Sequence, residues 1–158
     1  MTDPLIDPAT GTPLARLFAI AYRALVDGLH ARLAERGWPD VRPNFGFVLL
    51  AVRDGGLRSV EIAVLLGVTK QAASKLVDTM RAAGYVTREP DPRDERAKRV
   101  VLTRRGRALL AAVEEIYAEL ESAWADVLGA DRVDALRADL TRVLESLHGG
   151  RLPAVTPP

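Results

Sequence analysis

Apolar residues return at three- and four-residue steps along most of this chain, and at two-residue steps along one short part of it. Leu14, Phe18, Ala21, Leu25 and Leu29 make the first stripe, the spacing of one helical face. Arg36-Gly37-Trp38-Pro39 ends it, since glycine and proline both interrupt a helix. Asn44 is placed to cap a second helix over Phe45–Arg53, which stops at Asp54-Gly55-Gly56. Ser59 offers an N-cap to a short third helix. Glu61 lies in its first turn, where the helix dipole favours an acid, and Gly67 closes it. Thr69 caps a fourth helix that runs to about Ala83 and ends at Gly84.

The period then changes. Tyr85-Val86-Thr87-Arg88 and Arg99-Val100-Val101-Leu102 are β-prone and flank a charged stretch in which Pro90 and Pro92 mark a turn. Thr103 caps a long helix whose apolar residues Leu109, Val113, Ile116, Leu120, Trp124 and Val127 share one face, with Glu114, Glu115, Glu119 and Glu121 largely off it. Gly129 breaks that helix, and Val133, Leu136, Leu140, Val143 and Leu147 line a last one. The pattern predicts a mainly α chain: four helices, one β-hairpin, two helices.

Composition narrows the function classes. At 158 residues and 48% hydrophobic, the chain can bury a real core. Its longest apolar runs, such as Phe45–Val52, are far too short to span a bilayer. The start MTDPLIDPATGTP carries acids and prolines where a signal peptide needs a basic start and an apolar run, so a cytoplasmic location is expected. Cysteine is absent, which excludes disulfides, Cys-ligated zinc and thiol redox sensing. His30 and His148 are the only histidines and lie far apart in sequence, so neither a metal nor another cofactor is expected. No phosphate loop, glycine fingerprint or nucleophile elbow occurs, and an enzyme is not expected.

Net charge is only +1, but its distribution is uneven. Residues Arg58–Arg107 hold twelve Lys/Arg and six Asp/Glu, a net +6, and the remainder carries −5. A basic middle between acidic ends is expected where one part of a fold faces phosphate.

The segment Ser59–Val86, SVEIAVLLGVTKQAASKLVDTMRAAGYV, places two short helices around Leu66-Gly67-Val68-Thr69, a tight turn of the helix-turn-helix kind. Ala73, Leu76, Val77 and Met80 form the inward stripe of the second helix; Lys70, Gln71, Ser74, Lys75 and Asp78 form its other face. That polar, short-chained face suits a helix entering a major groove, with amides toward phosphate and donors for base edges. Alone, the segment also reads as an ordinary helical hairpin. A β-hairpin with a basic tip directly after it makes a winged helix. Asp91, Asp94 and Glu95 can pair there with Arg93, Arg96 or Lys98 and hold an extended arginine ready for a minor groove. The competing reading is a solvated loop whose charges keep an exposed edge soluble.

EIAVLLGVTKQAASKLVDTMRAAGYVTR followed by DPRDERAKRVVLTRRGRALL resembles the MarR family of bacterial transcription regulators. The resemblance is detailed from about Arg58 to Leu110 and follows helix order elsewhere. It implies a homodimer with the first and last two helices intertwined and two winged helices presented to a pseudo-palindromic duplex. It puts Gln71, Ser74 and Lys75 on the recognition helix and Arg96 at the family's wing arginine. With the reading of the residues, the expected DNA-contacting set is Ser59, Thr69, Lys70, Gln71, Ser74, Lys75, Arg81, Arg93, Asp94, Arg96 and Lys98. The resemblance also implies a small-molecule effector cleft near Trp38, Phe45 and Phe47, although aromatic residues at a helix junction are more often core. The expected division is a flexible segment over 1–12, a dimerisation helix over 13–40, the winged helix over 41–104, dimerisation helices over 105–148 and a proline-rich tail over 149–158. The function so implied is a dimeric regulator, a repressor relieved by an effector. A winged-helix protein-interaction module without DNA binding is the alternative.

Overall fold

The computed structural model describes residues 11–152. The flexible segment expected over 1–12 and the tail expected over 149–158 lie largely outside the described residues. The elements are α1 (Leu14–Glu35), α2 (Phe45–Ala51), α3 (Ser59–Leu66), α4 (Lys70–Ala82), β1 (Val86–Asp91), β2 (Asp94–Leu102), α5 (Arg104–Leu128) and α6 (Ala130–Leu147). This is the expected mainly α winged helix with one antiparallel hairpin.

Two of the four expected caps form as read. Thr69 Oγ1 accepts the Ala72 N–H at 3.1 Å, and Thr103 Oγ1 accepts the Gly106 N–H at 3.0 Å. Asn44 holds the N-cap position of α2 but makes no side-chain cap bond, because its own backbone is already helical. Ser59 is the first residue inside α3, and the N-cap is Arg58. Glu61 closes that end instead, its Oε2 accepting the Arg58 N–H at 2.7 Å, one half of a capping box. Gly67 supplies the left-handed turn between α3 and α4 at φ 64°, a conformation that costs glycine little.

The strands are longer than the β-prone segments suggest. The charged stretch is mostly ladder, with Glu89 opposite Arg99 and Pro90 opposite Lys98. Only Pro92-Arg93 turns the chain, and the register shifts between Pro90 and Asp91. Pro90 is therefore a strand residue and not a turn residue, tolerated where a two-stranded ribbon leaves one edge unpaired. Leu57 adds a short third rung, exchanging backbone hydrogen bonds with Val100 at 3.1 and 2.7 Å.

One core runs through Phe45, Val48, Leu49 and Val52 of the α2 region, Ile62, Ala63 and Leu66 of α3, and Ala73, Val77 and Met80 of α4. Tyr85, Val86, Val100 and Leu102 continue it through the hairpin base, and Leu109, Leu110, Val113 and Ile116 from α5 close it. Leu29 and Leu33 are the only residues of α1 that become buried, and α6 buries none. Close approach at the start of α5 requires Gly106, where an added Cβ would lie 2.0 Å from the Tyr85 carbonyl oxygen. Among the described residues, no helix is long and apolar enough to cross a membrane.

Candidate nucleic-acid interface

α4 turns Ala73, Val77 and Met80 into the core and so presents the opposite face outward. Lys70, Gln71 and Lys75 are exposed there and Ser74 is half-buried. Arg81 falls on the same stripe, ten residues after Gln71, and so about 15 Å further along the helix. Thr69 is committed to the cap, and Ser59 is half-buried at the start of α3. Asp78 does not face a groove unpaired, because Arg88 of β1 meets it at 3.0 Å.

The wing is pinned to α3 by four charged residues. Asp91 is 1% exposed, the one buried charged side chain among the described residues. Its Oδ2 accepts from Arg58 Nε at 2.6 Å, and its Oδ1 accepts the Arg93 N–H at 2.9 Å. Arg93 also donates side-chain bonds to both Asp91 oxygens at 3.1 Å and reaches Glu61 at 3.3 Å. A buried carboxylate is tolerable only when it is paired in this way. The hydrogen bonds from Arg93, then that from Arg58, hold the Asp91 carboxyl well below the usual carboxylate range. Glu61 is also lowered, first by the Arg58 backbone N–H and then by Arg93.

This arrangement divides the expected wing residues. Arg93 is spent on the wing itself. Asp94 does not hold the Arg96 guanidinium as expected; its Oδ1 accepts the Arg96 backbone N–H at 3.0 Å, a local turn that fixes the chain and releases the side chain. Arg96 and Lys98 are exposed, and neither side chain pairs with another described residue. Arg58 and Glu61 were not expected as partners of the wing. The hint was a cation at a helix N-cap, where the dipole disfavours it, but its partner lies 33 residues away.

The three aromatic residues expected at a cleft separate. Phe45 is buried edge-on against Tyr85, ring centroids 6.0 Å apart, and Trp38 packs on the same ring at 6.1 Å. Both serve the core because Tyr85 fills the space between them. Phe47 alone lines a cleft, of about 170 Å³, with Tyr22, Leu29, His30, Arg42 and Tyr117. A larger groove of about 470 Å³ lies between α1, α5 and α6, lined by Leu17, Phe18, Leu25, Trp124, Leu136 and Leu140 among others. Among the described residues, no group of three or more His, Asp or Glu is placed to hold a metal ion.

A helix-turn-helix, a hairpin wing fixed to it and flanking helices define a winged helix-turn-helix protein. The sequence profile of the MarR family matches residues 47–97. Among solved structures, the chain is similar to the transcriptional regulator Tm0710 from Thermotoga maritima, with 27% identity, a TM-score of 0.67, and 88% of this chain and 99% of that one covered. It is similar to wild-type MarR from E. coli in its apo form, with 28% identity, a TM-score of 0.67, and 84% and 97% covered. It is also similar to a mutant of S. aureus MepR bound to an oligodeoxyribonucleotide, with 25% identity, a TM-score of 0.60, and 85% and 98% covered. The chain carries a MarR-family domain within the fold of the MarR-type transcriptional regulators.

Proposed function

We propose that the protein is a cytoplasmic, non-enzymatic transcriptional regulator that binds duplex DNA as a homodimer, with a small molecule relieving repression. The observation that carries the reading is the unpaired Arg96 side chain, held at the tip of a hairpin that Asp91 and Arg58 tie to α3. Gln71 and Ser74 would meet base edges, and Lys70 and Lys75 phosphates. Arg96 would enter the minor groove, and Lys98 would add charge beside it. Binding of a MepR mutant to an oligodeoxyribonucleotide supports this use of the fold.

Dimerisation follows from what α1 and α6 leave uncovered. Leu14, Leu17, Phe18, Val143 and Leu147 are all exposed by 45% or more, large apolar side chains of the kind that mark an interaction surface when they cluster. A second copy would cover it isologously and set two recognition helices about 34 Å apart, one duplex turn. The 170 Å³ cleft at Phe47 is the effector site in this reading, and it is smaller than the common range of about 300–1,000 Å³. A small effector, or one that widens the cleft, fits it. Operator titration by fluorescence anisotropy tests the proposal: salt-dependent binding to duplex DNA is expected. A parent protein with no such binding would turn the reading toward a protein-interaction module.

A further inference from the structure

The effector cleft and the end of the recognition helix share one loop. Val41, Arg42 and Pro43 wall the cleft. One residue earlier, Asp40 accepts a hydrogen bond from the Tyr85 hydroxyl at 3.0 Å. Trp38, in the same loop, packs on the Tyr85 ring, and the Arg105 guanidinium carbon lies 5.1 Å from both ring centroids, within reach of a cation–π contact.

Tyr85 is fully buried, and its backbone joins two other elements. Its N–H donates to the Met80 carbonyl at 2.9 Å, which closes α4. Its carbonyl accepts the Thr103 N–H at 3.1 Å at the start of α5, and the Thr103 hydroxyl donates to the adjacent Gly84 carbonyl at 2.6 Å. Burial, then the Asp40 carboxylate, raises the phenol above its ordinary pKa, so the hydroxyl stays a donor at neutral pH. Side chain and backbone of one residue thus connect the cleft-wall loop, the last turn of the recognition helix and the first turn of the long helix. Neither the DNA-facing residues nor the cleft lining includes this cluster.

We propose that Tyr85, Asp40 and Arg105 are positioning residues for the recognition helix, transmitting any displacement of the cleft-wall loop to the seat of α4. The proposal rests on the DNA-binding reading above and gives that reading a route between its two sites. Occupancy of the cleft would act on residues 41–43, draw Asp40 off the phenol, and leave a buried hydroxyl unpaired. The seat of α4 would then loosen without any contact between ligand and α4.

The test uses Asp40→Ala, Tyr85→Phe and their double variant in the full chain. Asp40 is exposed and the phenylalanine keeps the ring, so folding should survive both. Amide hydrogen exchange of Asp40→Ala should accelerate about tenfold in the last turn of α4 and over Thr103–Gly106, although the change lies in another element. Operator affinity should fall about fivefold in each single variant and no further in the double, as expected when both changes break one hydrogen bond. Faster exchange confined to residues 36–44 overturns the proposal. So does faster exchange at α4 with operator affinity within twofold of the parent. If exchange spreads as expected but the parent itself holds no duplex, the DNA-binding reading fails while the connection from loop to helix stands.

Discussion

Between Phe45 and Ile116 nearly every inward apolar side chain is buried, whereas α6 buries none and the first half of α1 leaves Leu14, Leu17 and Phe18 in the open. Both regions have helices with clear apolar stripes. They differ in what lies opposite. The winged helix folds α2, α3, α4, the hairpin base and the start of α5 around one another, so its stripes are mutually satisfied. The stripe of α6 packs against α5 and borders the open groove it shares with α1, and Arg137 ties α6 to α5 by an ion pair with Glu121. A stripe is thus a demand for a partner surface, and the chain itself supplies that surface in one region only.

The comparison breaks most visibly in the core. Phe45→Ala should destabilise the winged helix by about 3–5 kcal/mol, read from chemical denaturation. Val143 of α6, 55% exposed, should behave differently. Val143→Asp should leave the winged-helix core intact yet shift the mass toward monomer in light scattering, through an unpaired charge placed in the proposed contact. A variant that unfolds instead, or stays as associated as the parent, would contradict the contrast.

On the proposed DNA face the comparison runs between two neighbouring arginines. Arg96→Ala should lose about 1–3 kcal/mol of operator binding, with folding stability changed by no more than about 0.5 kcal/mol. Arg96→Lys should rescue poorly, since an ammonium gives up its water less readily than guanidinium. Arg93→Ala should show a different balance, with a lower melting temperature and a smaller direct loss on DNA, because its side chain is engaged with Asp91 and Glu61. Asp94→Ala should sit below both, removing one backbone turn.

The smallest effect is in pH. Asp91 and Glu61 both have folded pKa values below their ordinary ones. Their contribution is therefore complete above the ordinary carboxylate range and is lost as pH falls toward the lowered folded values. Asp91→Asn should flatten the acid limb of a melting-temperature profile, and a limb as steep as the parent's would remove the wing cluster from the explanation.

What the sequence made legible follows from the range of each interaction. Thr69 and Thr103 could be read as caps because a capping hydroxyl and the N–H that donates to it are three residues apart. Ser59 and Asn44 carry the same capping chemistry, but α3 starts one residue earlier than read, with Arg58 as its N-cap, and the Asn44 backbone is itself helical. The element order and the inward face of α4 were legible because periodicity is local. The Arg58–Asp91 pair was not, since nothing in either neighbourhood points 33 residues away. Trp38 and Phe45 were assigned toward a cleft because residue type alone does not separate a core aromatic from a lining one. Tyr85, which packs against both, decides it.

Selection of bound fragments from random duplex DNA, at moderate salt with the full chain, tests the central claim most directly. A dimer presenting two α4 faces and two Arg96 wings should enrich a pseudo-palindrome with half-site centres about one helical turn apart and an A·T-rich minor groove where each wing falls. Enrichment should weaken selectively for Gln71→Ala and Arg96→Ala. No enriched sequence, or a single half-site bound as tightly as the pair, would contradict the account.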